Sequence, residues 1–143
     1  MKPFLIIFLV VLDQVTKYVF QDSFHNLFIF DINYVENYGV TFGLFQGTSL
    51  LFGVIGIVIF LVLLYFKDQF KQTPILFSML LAGIIGNTID RIFRGFVIDF
   101  IDFRFWPVFN FADIYLVLAV TGIIFLELYT WYQNSFKSSK SSK

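Results

Sequence analysis

The chain has 143 residues and a formal net charge of zero; 58% of its residues are apolar and only 14% charged, with a mean hydropathy of +0.80. Soluble domains run at about 45–50% apolar and about 25% charged, so the balance argues against a water-soluble domain. A zero net charge leaves nothing to neutralise phosphates on a basic surface, which speaks against nucleic-acid binding, and the absence of Cys rules out disulfides, thiolate catalysis and Cys-based metal sites.

A bilayer-spanning helix needs about 20 mostly apolar residues. Four windows qualify: Phe4 to about Phe20, Thr48 to Phe66, Pro74 to about Arg94, and Ile114 to about Tyr132, the last interrupted by Glu127. The first window has the basic start of a signal peptide. However, Asp13, Gln14, Thr16 and Lys17 stand where a cleavage site should follow, and no small-x-small pattern does, so it reads as a retained helix.

Between the first two windows, Phe28, Phe30, Ile32 and Tyr34 fall on alternate positions, with Asp31 and Asn33 on the other face. That period of two predicts a strand over 28–36. One strand is not stable alone, so a small sheet on the outer membrane surface is expected, within a β-like element over about 24–46. Pro107 stops any helix from crossing the last connection. Residues 135–143 read as a disordered Ser/Lys tail.

Lys2, Lys67, Lys71, Lys137, Lys140 and Lys143 flank the windows on one side, whereas Asp22, Asp31, Glu36, Asp99 and Asp102 lie on the other. By the positive-inside rule both termini are cytoplasmic and the acidic connections face outward. The expected architecture is an all-α membrane protein of four transmembrane helices with a small extracytoplasmic β element, one integral membrane domain over residues 1–143.

Charges within a membrane are costly and are functional candidates by default. Asp13 and Lys17 lie one helical turn apart and can pair, either as a structural ion pair or as a group facing substrate. Gly83, Asn87, Asp90 and Arg94 share one helix face, with Gly86 and Arg91 beside it; glycines there admit a close neighbour. Asp90 with Arg91 or Arg94 can be a mutually neutralising helix-end network. Asp99 and Asp113 lie at the outer ends of the third and fourth windows, and the link carrying Pro107 can bring them together. Two carboxyls in a desolvated place cannot both ionise easily, so one keeps a proton while the other acts as a base. That suits peptide hydrolysis without a metal or a nucleophilic Ser. Equally, Asp113 can be a first-turn acid of its helix and Asp99 an ordinary loop acid. His25, the single His, supports neither a triad nor a zinc site.

Four blocks of the sequence resemble, in order, the lipoprotein signal peptidase (signal peptidase II) family, the membrane aspartyl proteases of bacteria. They are Asp13-Gln14-Val15-Thr16-Lys17; Asn37-Tyr38-Gly39-Val40-Thr41-Phe42-Gly43; Gly83 to Arg91 with Gly95, Val97, Asp99 and Phe100; and Phe109-Asn110-Phe111-Ala112-Asp113. The resemblance implies an endopeptidase that removes the signal peptide from diacylglyceryl-modified prolipoproteins before the lipidated cysteine. It implies a catalytic pair of Asp99 and Asp113, supporting or substrate-contacting roles for Asp13, Lys17, Asn37, Gly83, Asn87, Arg91 and Asn110, and no metal or cofactor. It further implies a place in the bacterial cytoplasmic membrane, contact with membrane lipids, and inhibition by globomycin; because one chain holds a whole site, a monomer is expected. Three departures stand out: Val40-Thr41 where Ala-Ala is usual, Ala82 where Gly often precedes Gly83, and a short link between Asp99 and Asp113. The rival reading is a small polytopic transport or binding protein whose acids line a polar path or are purely structural. A non-catalytic assembly factor is a third.

Overall fold

A computed structural model describes residues 1–39 and 49–141, and side chains as far as Ser135. The helices are α1 (Pro3–Val19), α2 (Ser49–Tyr65), α3 (Pro74–Phe93) and α4 (Phe111–Ser141), with a 3-10 turn at Lys67–Phe70 between α2 and α3. Three strands, β1 (Phe24–Asn26), β2 (Asp31–Asn37) and β3 (Val97–Asp102), form one antiparallel sheet in that order. Val40-Thr41-Phe42-Gly43, part of the second sequence block, lies outside the described residues, as does the end of the expected element over 24–46.

Among the described residues two helices, α3 and α4, are long and apolar enough to cross a membrane; α2 is apolar but shorter. The central helix α3 packs against all three others. Pro74 opens α3 at a position where its missing N–H costs nothing. Gly95 closes it in the left-handed region at φ +82°, its N–H donating to Asp90 O at 3.2 Å.

The expected strand over 28–36 begins three residues later. Residues 28–30 instead form the turn between β1 and β2, with Phe28 fully exposed at its tip. The register between β2 and β3 slips by one residue between Ile32 and Val35, a bulge that bends β2 over the end of the bundle. Ile32, Ile98 and Phe100 form the sheet's apolar core, packed against Phe20 at the end of α1 and Phe111 at the start of α4. This anchors the sheet to the helix ends. At the other end α4 stays helical through Ser141, into the segment for which composition suggested disorder. Once a helix is nucleated, each added residue brings a hydrogen bond at little further cost.

Candidate active site

Site side chains are set by helix ends and strand positions rather than by loops. Asn110 is the N-cap of α4. Its Oδ1 accepts the Asp113 N–H at 3.0 Å, and Asp113 Oδ2 accepts the Asn110 N–H at 3.2 Å. This is a reciprocal capping box. The first-turn and site readings of Asp113 are therefore compatible, because its other oxygen, Oδ1, is turned to α3 and accepts Asn87 Nδ2 at 2.8 Å.

The cap side chain also reaches the second acid. Asn110 Nδ2 donates to Asp99 Oδ1 at 2.6 Å, and Asn37 Nδ2 from β2 donates to Asp99 Oδ2 at 3.0 Å. Asp99, Asp113, Asn37, Asn87 and Arg91 line a single cavity of about 530 Å³ between α3, α4 and the sheet, with Trp106 at its rim. Burial pushes the Asp99 carboxyl up to about 7, and the nearby charge of Asp113 adds to the rise; the two asparagine hydrogen bonds and Lys17 pull against it. A carboxyl that keeps its proton near neutrality beside a second carboxyl can act as donor and acceptor towards a polar ligand. Arg91 Nη1 donates to Asn87 O at 3.3 Å, while its buried Nε has no partner among the described residues.

Behind this cavity lies a second polar layer. Lys17 is wholly buried, with Nζ 2.9 Å from Asp13 Oδ2, 2.9 Å from Asp90 Oδ2 and 3.1 Å from Asn87 Oδ1. Arg94 bonds the other oxygen of Asp90, Oδ1, and donates to Gln14 Oε1 at 3.0 Å. Gln14 Nε2 in turn reaches Asp90 Oδ1 at 3.1 Å and Gly86 O at 3.2 Å. The expected Asp13–Lys17 pair is present, and Asp90 pairs with Arg94 as one of the two arginines proposed for it. Gly83 sits where an added Cβ would lie 2.6 Å from Ala112 O, and Gly86 where one would lie 2.6 Å from Asp13 Oδ2. Both glycines let α3 approach its neighbours.

Sequence reasoning read Asp90 and Arg94 as a helix-end network and did not place them, or Gln14, among the site residues. The signal for Asp90 was its place on the same face as Gly83 and Asn87; its partner on α1 depends on how two helices cross. His25 is exposed on β1 and lines neither cavity. A second cavity, about 160 Å³ between α2 and α3, is lined by apolar residues and Thr88 and holds no ionisable group. Among the described residues no three His, Asp or Glu side chains group as metal ligands.

A family model described as signal peptidase (SPase) II matches residues 5–130. The lipoprotein signal peptidase of Fusobacterium nucleatum is 38% identical over 140 residues, spanning 85% of this chain and 82% of that protein. Its counterpart in Caldanaerobacter subterraneus is 37% identical over 136 residues, spanning 87% and 94%. A solved structure described as a bacterial membrane enzyme, determined by the in meso method at 2.3 Å, superposes with a TM-score of 0.79 at 36% identity, covering 87% of this chain and 85% of that one. A second such structure, at 1.9 Å, gives 0.74 at 34% identity. With the family match running through nearly the whole chain, this protein belongs to the signal peptidase II family.

Proposed function

We propose that this protein is an aspartyl endopeptidase that cuts the signal peptide from diacylglyceryl-modified prolipoproteins just before the lipidated cysteine, with Asp99 and Asp113 as its catalytic pair. The observation that carries the reading is that Asn110 hydrogen-bonds both acidic residues while both line one cavity. Asp99, with its proton retained to about pH 7, donates a hydrogen bond to the scissile carbonyl oxygen. Asp113 takes a proton from water as the water oxygen bonds to the carbonyl carbon, and the oxyanion collects the Asp99 proton. As the C–N bond breaks, Asp113 passes its proton to the leaving nitrogen. The diol then returns one to Asp99, leaving a new carboxyl and a free amine. Arg91, a cation on the cavity wall, suits the substrate backbone. Asn37 and Asn87 orient the two acids.

In this reading all four helices cross the cytoplasmic membrane, both termini are cytoplasmic, the sheet lies at the outer face, and one chain forms the whole site as a monomer. Lipid tails hold the substrate's cleavage site at the membrane surface, and the acids lie on β3 and at the start of α4, at the end of the bundle that would meet it. A polar path for transport would need buried ionisable groups near mid-membrane, and here the buried ones gather at one end of the bundle. Globomycin is expected to inhibit at this cavity.

The test is a lipoprotein-processing assay. Asp99→Asn and Asp113→Asn should each abolish cleavage while expression and membrane insertion persist; cleavage by either at the wild-type rate would refute the pair. A reporter fused after Lys143 should read cytoplasmic.

A further inference from the structure

The charges behind the cavity do more than neutralise one another. Lys17 holds Asp13 and Asp90 with one ammonium, at 2.9 Å each. Each carboxylate also accepts one backbone N–H from outside its own helix. Asp13 Oδ1 accepts from Ala112 at 2.9 Å, and Asp90 Oδ2 accepts from Ile98 at 3.2 Å. Ala112 immediately precedes Asp113, and Ile98 immediately precedes Asp99. Consecutive Cα atoms are about 3.8 Å apart, so holding each amide fixes where the next residue begins. The three side chains thus tie together the two backbone points from which the acids project, although those points lie on β3 and α4.

We propose that Asp13, Lys17 and Asp90 form a brace that sets the separation of Asp99 and Asp113, with Asp90 as a positioning residue for hydrolysis. This rests on the catalytic pair argued above. Stability alone does not call for such a cluster, because replacing a buried ion pair by apolar side chains of similar volume is often neutral or stabilising. A brace predicts instead a loss confined to the chemical step, since small misplacements of reacting groups cost about 100-fold in rate.

The experiment compares Asp90→Leu and Asp90→Asn, purified in lipid-detergent micelles, on a diacylglyceryl-modified prolipoprotein peptide. The Asn side chain can still accept the Ile98 N–H, whereas Leu cannot. The expected result is a fall in kcat of about 100-fold for Asp90→Leu and about tenfold for Asp90→Asn, with KM within about threefold of wild type. The pH limb associated with Asp99 should also move, which a change in folded fraction alone would not produce. A folded Asp90→Leu with kcat within twofold of wild type overturns the brace, as does Asp90→Asn no better than Asp90→Leu. If neither is recovered folded, Asp13→Asn decides: a fall in kcat supports the brace, and a wild-type kcat overturns it. Failure of all three to fold makes the cluster a folding element and overturns the proposal. Asp99→Asn is assayed alongside: if it is active, the catalytic pair itself fails, whereas an inactive Asp99→Asn with full-rate Asp90 variants removes only the brace.

Discussion

Asn110 Nδ2 lies 2.6 Å from Asp99 Oδ1 while the same side chain caps the helix that carries Asp113. One amide therefore couples the start of α4 to the position of an acid on β3. Asn110→Ala should cost about 1–2 kcal/mol as a lost cap and lower kcat by roughly 100-fold, because both acids lose their common partner. Asn110→Ser keeps a capping oxygen but loses the Nδ2 donor to Asp99, so thermal stability should recover in part without activity. Melting curves paired with processing rates separate the two effects.

The raised Asp99 carboxyl gives a pH dependence with a definite sign. Between its ordinary value of 3.8 and about 7 the folded state binds the proton more tightly than the unfolded chain does. Its contribution to stability is therefore fully present below about 3.8 and is lost as pH rises through about 7. Asp99→Asn should flatten that part of the stability profile and be the more stable form at pH 8. Wild-type cleavage should decline above about pH 7 as Asp99 loses its proton. Thermal melts and initial rates across pH 5–9 check both.

Gly83 and Gly122 should respond differently to an added methyl. At Gly83 the new Cβ would meet backbone, Ala112 O at 2.6 Å, as well as Leu116 Cγ at 2.7 Å. At Gly122 it would meet only the rotatable end of Leu76, at 2.9 Å. Gly83→Ala should cost roughly 1–3 kcal/mol and disturb the start of α4. Gly122→Ala should be near neutral, the contact being offset by about 1 kcal/mol of helix propensity. Unfolding midpoints in detergent measure the contrast.

Arg104 ties the tip of the sheet. It donates to Asp31 at 2.8 and 3.0 Å and to Leu27 O at 3.0 Å, from a left-handed backbone position at φ 67°. The guanidinium holds the Asp31 carboxyl below its usual range, so this support is present above about pH 4 and is lost as pH falls through the lowered value. Amide exchange over residues 24–31 should quicken in Arg104→Ala, and in wild type at acid pH. Unchanged protection in the variant would contradict the tie.

The helices and the acids were legible because their signals are local: long apolar windows, and residue types at fixed spacing. Gly83, Gly86, Asn87 and Asp90 share a buried face because helical geometry requires it. The sheet was legible only in part. β1 has three residues, too few to show a period, and the first four residues of β3 are all buried, so no alternation of polar and apolar marks it. The strand expected from residue 28 starts at Asp31 because Arg104, distant in sequence, grips the turn before it. For the same reason Asp90's contact with Lys17 escaped notice, since it exists only once α1 lies against α3.

Val117 forms part of the cavity wall and is also 64% exposed on the flank of α4. In the proposed topology, with the helices embedded, that flank of the chamber wall faces acyl chains rather than water. In that reading a lipidated substrate arriving along this flank would diffuse in two dimensions, and the operative concentration would be molecules per area of leaflet. Adding empty micelles or vesicles should slow turnover at constant molarity of enzyme and substrate, purely by surface dilution.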